Sequence, residues 1–160
     1  MFIQGLYTLP IANQSGPEID QGTLMRFLAE IIWFPTAALA RYIRWDYLSE
    51  TTAMATIDNG GTTVSGVFSF HNNGDVKGFE GMRYGDVNHY YIMEKWKIDV
   101  KSHRVFGSVR IADQSEVSWE KDGHTFTWLK LEISKAKFNY GRSPGDSATE
   151  TSEFWNHISN

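Results

Sequence analysis

Residues 90–100, YYIMEKWKIDV, alternate strictly between two faces. Ile92, Trp96, Ile98 and Val100 share one, and Met93, Lys95, Lys97 and Asp99 share the other. A period of two marks a strand with one buried face. The same reading predicts strands over 2–11, 51–57, 62–70, 76–84, 104–111, 114–120 and 124–138. Asp58-Asn59-Gly60-Gly61, Asn73-Gly74 and Asp122-Gly123 lie between such runs. Asn-Gly and Asp-Gly tolerate the positive φ of tight hairpin turns, so neighbouring runs are expected to pair antiparallel.

One segment breaks this rhythm. From about Gln21 to about Tyr42 the spacing is helical, and the Asp20 carboxylate suits an N-cap because it can accept amide protons of the first turn. At about 100° per residue, Leu24, Phe27, Leu28, Ile31, Pro35 and Leu39 form one stripe, which predicts a core face. Arg26, Glu30, Trp33 and Ala37 fall opposite, flanked by Ala29 and Ala40. A helix with so few charges on its back is expected to be buried nearly all round, against more sheet, a second subunit or a ligand. Pro35 removes a backbone hydrogen bond and crowds the Ile31 carbonyl, so it predicts a bend that lets the helix follow a curved sheet.

These elements predict an α+β fold: a curved, mainly antiparallel sheet of about seven or eight strands packed on one long helix. Residues 1–140 read as a single domain. Residues 141–160, GRSPGDSATETSEFWNHISN, are rich in Ser, Thr, Gly and Asp and read as a mobile tail.

Composition narrows the function classes. The 160 residues include six Trp, seven Tyr and ten Phe, which suits a packed β-rich domain. A net charge of −4 offers no basic field for nucleic acid. With no cysteine, disulfides, thiol chemistry and cysteine-based zinc sites are excluded. The most apolar window, Leu24 to Ala40, contains Arg26, Glu30 and Pro35, which argues against a transmembrane span. No signal peptide is visible, so the expected compartment is the cytoplasm if Met1 is the native start.

The run GPEIDQGTLMRFLAEIIWFPTAAL, then RW at 44–45, ATIDNGGTTVSGVFSF, SEVSW and FTWLKLEISKAKFNY, resembles a bacterial family of unknown function over roughly residues 5–140. More distantly, such domains look like the lipoprotein-carrier fold, a half-open antiparallel barrel with a helical plug. The resemblance implies a further stretch of sheet ahead of Phe2 that this chain lacks, hence an unprotected sheet edge, and the expectation is a homodimer or a deleted half that once covered Trp33, since exposed edges invite pairing. It also implies Ile-Pro where this chain has Ile111-Ala112, which would loosen the turn before Gln114.

Chemistry is sparse. The histidines, His71, His89, His103, His124 and His157, form no close ligand pair, and no metal or other cofactor is expected. Asp86 and His89 read as a solvated loop, and DNGGTT reads as a hairpin turn, with no phosphate-loop context. No nucleophile sits beside a base. Glu94 shares the apolar face of Ile92, Trp96 and Ile98, where it is expected either to turn to water at a β-bulge or edge position or to pair with Arg83 or Arg44. The expected function is non-enzymatic binding of an apolar small molecule, a lipid or acyl chain, between sheet and helix. Arg26, Glu30, Trp33, Phe34, Glu94 and Trp96 are the candidate ligand-binding residues. The alternative is a structural or oligomerisation domain without a pocket. An enzyme would need a carboxylate pair such as Glu30 with Glu94.

Overall fold

In a computed structural model, which describes residues 16–87 and 90–138, seven strands pair in chain order, each antiparallel to the next. They are β1 (Ile43–Ser49), β2 (Thr52–Asn59), β3 (Thr62–Phe70), β4 (Val76–Val87), β5 (Tyr90–Phe106), β6 (Val109–Lys121) and β7 (His124–Glu132). The sheet is curved and does not close, so among the described residues β1 and β7 are its edges. The strand expected over 2–11 and the tail beyond residue 140 lie outside the described residues.

Two expected short strands merge differently from the sequence reading. Residues 104–106 complete β5, and the chain turns at Gly107-Ser108 into β6, which runs unbroken past Ile111-Ala112 to Lys121. The Ile111-Ala112 pair therefore lies inside a strand and not before a turn. β7 ends at Glu132, short of the expected 138.

The helix is shorter than its spacing suggests. The α-helix, α1, spans Pro17–Ala29, and one 3₁₀ turn, Glu30–Ile32, continues it. Gly16, not Asp20, is the N-cap, because Pro17 is preset for the first helical position. Pro35 does not bend a continuous helix. It opens a separate 3₁₀ segment, Pro35–Leu39, after a break at Trp33-Phe34. Trp45 Nε1 donates to the Ala38 carbonyl at 3.0 Å and ties that segment to β1.

The buried face of the helix also differs from the expected stripe. Gly22, Met25, Leu28, Ala29, Ile31 and Ile32 are buried, whereas Phe27 and Pro35 are exposed and Leu39 is 85% exposed. The sheet sets this phase. Across its concave face Trp45, Ala55, Gly66, Gly81, Trp96 and Trp119 are successive register partners. The small residues in the middle of that row make room for α1, which crosses β2–β4 with Met25 Sδ only 2.9 Å from where a Cβ on Gly81 would sit. A chain of ring contacts follows the concave face: Trp45–Phe68, Phe68–Phe79, Phe79–Trp96 and Trp96–Trp119, with centroids 4.8–6.4 Å apart.

Hydrogen bonds pin the start of α1. Pairing between β3 and β4 stops at Gly66–Gly81. Beyond it, Gln21 donates to the Met82 carbonyl at 2.8 Å and accepts from the Tyr84 amide at 3.2 Å, as a neighbouring strand would. Arg83 Nε donates to the Gly22 carbonyl at 2.9 Å. The two Gln21 bonds satisfy backbone groups of β4 that the sheet leaves open.

Candidate functional site

A cavity of about 380 Å³ opens between the two 3₁₀ segments and one end of the concave face. Ile31, Ile32, Pro35 and Ala38 form one wall, and Trp45, Phe68, Phe70 and Val76 form the sheet side. Ile111 and Ala112 complete the apolar lining. The cavity borders the break at Trp33-Phe34: Ile31 and Ile32 end one 3₁₀ segment, Pro35 opens the next, and all three line the wall.

Asp75, His103 and Arg110 supply the polar part of the wall. Asp75 is presented by the β3–β4 turn, where Gly74 adopts φ 88°, a conformation side-chain-bearing residues avoid. The Asn73 side chain accepts from the Asp75 amide and donates to its carboxylate. Arg110 Nε lies 3.0 and 3.1 Å from the two carboxylate oxygens, and its Nη2 lies 2.9 Å from Oδ2. Chiefly through those Arg110 hydrogen bonds, with help from Asn73 and the nearby charges, the Asp75 carboxyl is lowered to about 2.

His103 reaches this site through an irregularity in the sheet. The β5–β6 register shifts between Val100 and Ser102 and again between Ser102 and His103. The first slip leaves Lys101 unpaired on β5 and the second leaves Asp113 unpaired on β6, so each strand changes phase once. His103 therefore joins the concave face although it is out of phase with Trp96, Ile98 and Val100. Asp113, skipped by the pairing, is buried and fixes the irregularity. Ser102 Oγ donates to it at 2.7 Å, Arg104 Nη2 lies 3.1 Å away, and its carbonyl accepts from the Ile133 amide. The His103 side chain is 10% exposed, its Nδ1 lies 3.9 Å from Asp75 Oδ2, and its Nε2 is buried without a protein partner.

None of the six residues singled out from the sequence is in this wall. Arg26 and Glu30 pair with each other at 3.1 Å. Burial raises the Glu30 carboxyl despite the Arg26 charge and hydrogen bond. Glu94 is the register partner of Arg83, and its Oε2 lies 3.1 Å from Lys121 Nζ, an ion-pair distance without hydrogen-bond alignment. Trp96 is buried and Trp33 half-buried, each with an indole N–H that has no partner. Phe34 is 40% exposed. Arg83 lies over Trp96 and Trp119, 5.1 and 5.4 Å from the ring centroids. Burial, reinforced by the Arg26 charge, lowers its guanidinium to about 10. The two flanks of the helix thus differ: one carries paired charges over tryptophans, the other an open apolar cavity. His89 lies outside the described residues.

Asp75 and Arg110 were missed because no local pattern joins residues so far apart. The one available signal was the Asn-Gly turn just before Asp75. Among the described residues no helix is long and apolar enough to cross a membrane. A model of a family of unknown function (DUF6544) matches residues 1–131. Neither a curated protein nor a solved structure matches the chain.

Proposed function

The chain belongs to that family of unknown function, and we propose that it is a non-enzymatic binding domain for a small apolar molecule, such as a lipid or acyl-chain segment, held between sheet and helix. The observation that carries this reading is the 380 Å³ cavity with ten apolar wall residues, from Ile31 to Ala112. Binding sites for small molecules are concave and mostly apolar with a few fixed polar groups, in this size range. At about 30 Å³ per water-sized occupant, the space takes roughly a dozen non-hydrogen atoms. A short chain or a single substituted ring suits it better than a whole phospholipid.

Trp33 and Phe34 join wall residues Ile32 and Pro35 and belong to this proposal as flanking residues. Arg26 and Glu30 already answer each other's charge, and Glu94 and Trp96 lie with them on the other flank. A ligand long enough to pass under the helix would reach that flank as well. Native mass spectrometry of the full chain, with calorimetric titration of para-propyltoluene, an uncharged probe small enough for the cavity, tests the reading. Saturable binding that Ala38→Phe abolishes is the expected result. No binding, or binding unchanged by that substitution, would sink it.

A second reading, a self-association domain, is favoured by one feature. The described edge strand β7 exposes Phe126 (60%) and Trp128 (44%). Apolar edge strands pair readily with a second copy. Solution mass by light scattering checks this, with a dimer expected for the native chain and a monomer for Trp128→Lys.

A further inference from the structure

We infer that His103 is the polar anchor of the cavity and that its ligand carries a hydrogen-bond-donating head, an alcohol or a phenol, on an apolar body. This inference rests on the apolar-cavity reading above and adds the chemistry of the head group. His103 is a wall residue, nine-tenths buried, and its Nε2 has no partner in the protein. A buried polar atom left unpaired is costly, so such atoms in native proteins ordinarily have partners. The neighbouring groups decide which kind of partner Nε2 takes.

Asp75 Oδ2 faces Nδ1 at 3.9 Å. Two cations or donors, Arg110 and Asn73, hold that carboxylate in place. A neutral imidazole carries one N–H and one lone pair. With an anion beside Nδ1, the proton belongs on Nδ1 and the lone pair on Nε2. Nε2 is then an acceptor set in an apolar wall, which calls for a donor. A carboxylate head would instead meet that lone pair, with the Asp75 charge behind it. Arg110, the cation in the cavity wall, is already committed to both oxygens of Asp75. An anionic head is therefore disfavoured twice over.

The experiment uses the full chain and three probes: para-propylphenol, para-propyltoluene and octanoate. The first two have the same shape and differ only in hydroxyl against methyl, and both fit the cavity volume. Binding is followed by calorimetry, and the His103 ring nitrogens by NMR. The expected result is that the phenol binds about tenfold tighter than its methyl isostere. His103→Phe should remove that difference, and only the phenol should shift the Nε2 resonance. The resonance is read on the native chain, so the test stands even if the variant fails to fold. Equal affinity for phenol and isostere with no Nε2 shift overturns the inference and leaves the apolar-cavity reading intact. Tighter binding of octanoate than of the phenol also overturns it. If no probe binds, both the inference and the reading it rests on fall.

Discussion

Arg110 touches both oxygens of Asp75, and this contact makes a local prediction. In Arg110→Ala the Asp75 carboxyl should rise from about 2 toward its ordinary 3.8, read as the carboxyl carbon shift in an NMR titration. A lowered folded-state value stabilises the protein above 3.8 and is lost as pH falls through about 2. The melting temperatures of native and variant chains should therefore differ at neutral pH and converge toward pH 2. Glu30 behaves oppositely. Burial raises its folded-state value above 4.5, so the native state holds the proton more tightly and loses stability as pH rises through that window. Glu30→Gln, always neutral, should gain melting temperature relative to the native chain as pH rises from below 4.5 to neutrality. A constant difference across that range would contradict the desolvation account. At this scale the sequence was half readable. The Arg26–Glu30 pair follows from i,i+4 spacing, and Glu94, expected to turn to water or to pair with Arg83 or Arg44, lies across from Arg83 in the register with Lys121 at ion-pair distance. Asp75, His103 and Arg110 meet only through strand register, which residue spacing cannot express.

Elements carry their own information through packing. Gly66 is the clearest case, because a Cβ there would lie 2.2 Å from Phe79 Cζ and 2.4 Å from its Cε2. Phe79 is held between Phe68 and Trp96 and cannot move aside freely. Gly66→Ala should therefore destabilise by about 1–3 kcal/mol despite the better strand propensity of alanine, as measured by urea unfolding. Asp113 is the matching case in polar form. Asp113→Ala leaves Ser102 and the Arg104 guanidinium without their acceptor and should cost about 1–3 kcal/mol. It should also disturb amide shifts around His103, since Asp113 holds the register slips that aim that residue inward. Hairpins with Asn-Gly or Asp-Gly turns were legible because those residues act locally. The helix phase was not, because a segment apolar on nearly every side has no unique buried stripe. Gly81 and Gly66, on other strands, choose it. The slips between Val100 and His103 were equally hidden, since alternation continues on either side of them.

At the scale of the molecule, the antiparallel order of the described strands and the seat of α1 follow from turn residues and from a row of small side chains under that helix. The half-open form leaves two consequences, an apolar edge on β7 and a cavity where the chain breaks at Trp33-Phe34. The central claim is that the cavity, and not the edge, is where a small molecule binds. Methyl NMR on the full chain during titration with para-propylphenol tests it most directly. The predicted result is saturable shifts at Ile31, Ile32, Ile111 and Ala38, with Leu131 on β7 unchanged. Shifts confined to β7, or no shift at any methyl as the probe approaches its solubility limit, would contradict it.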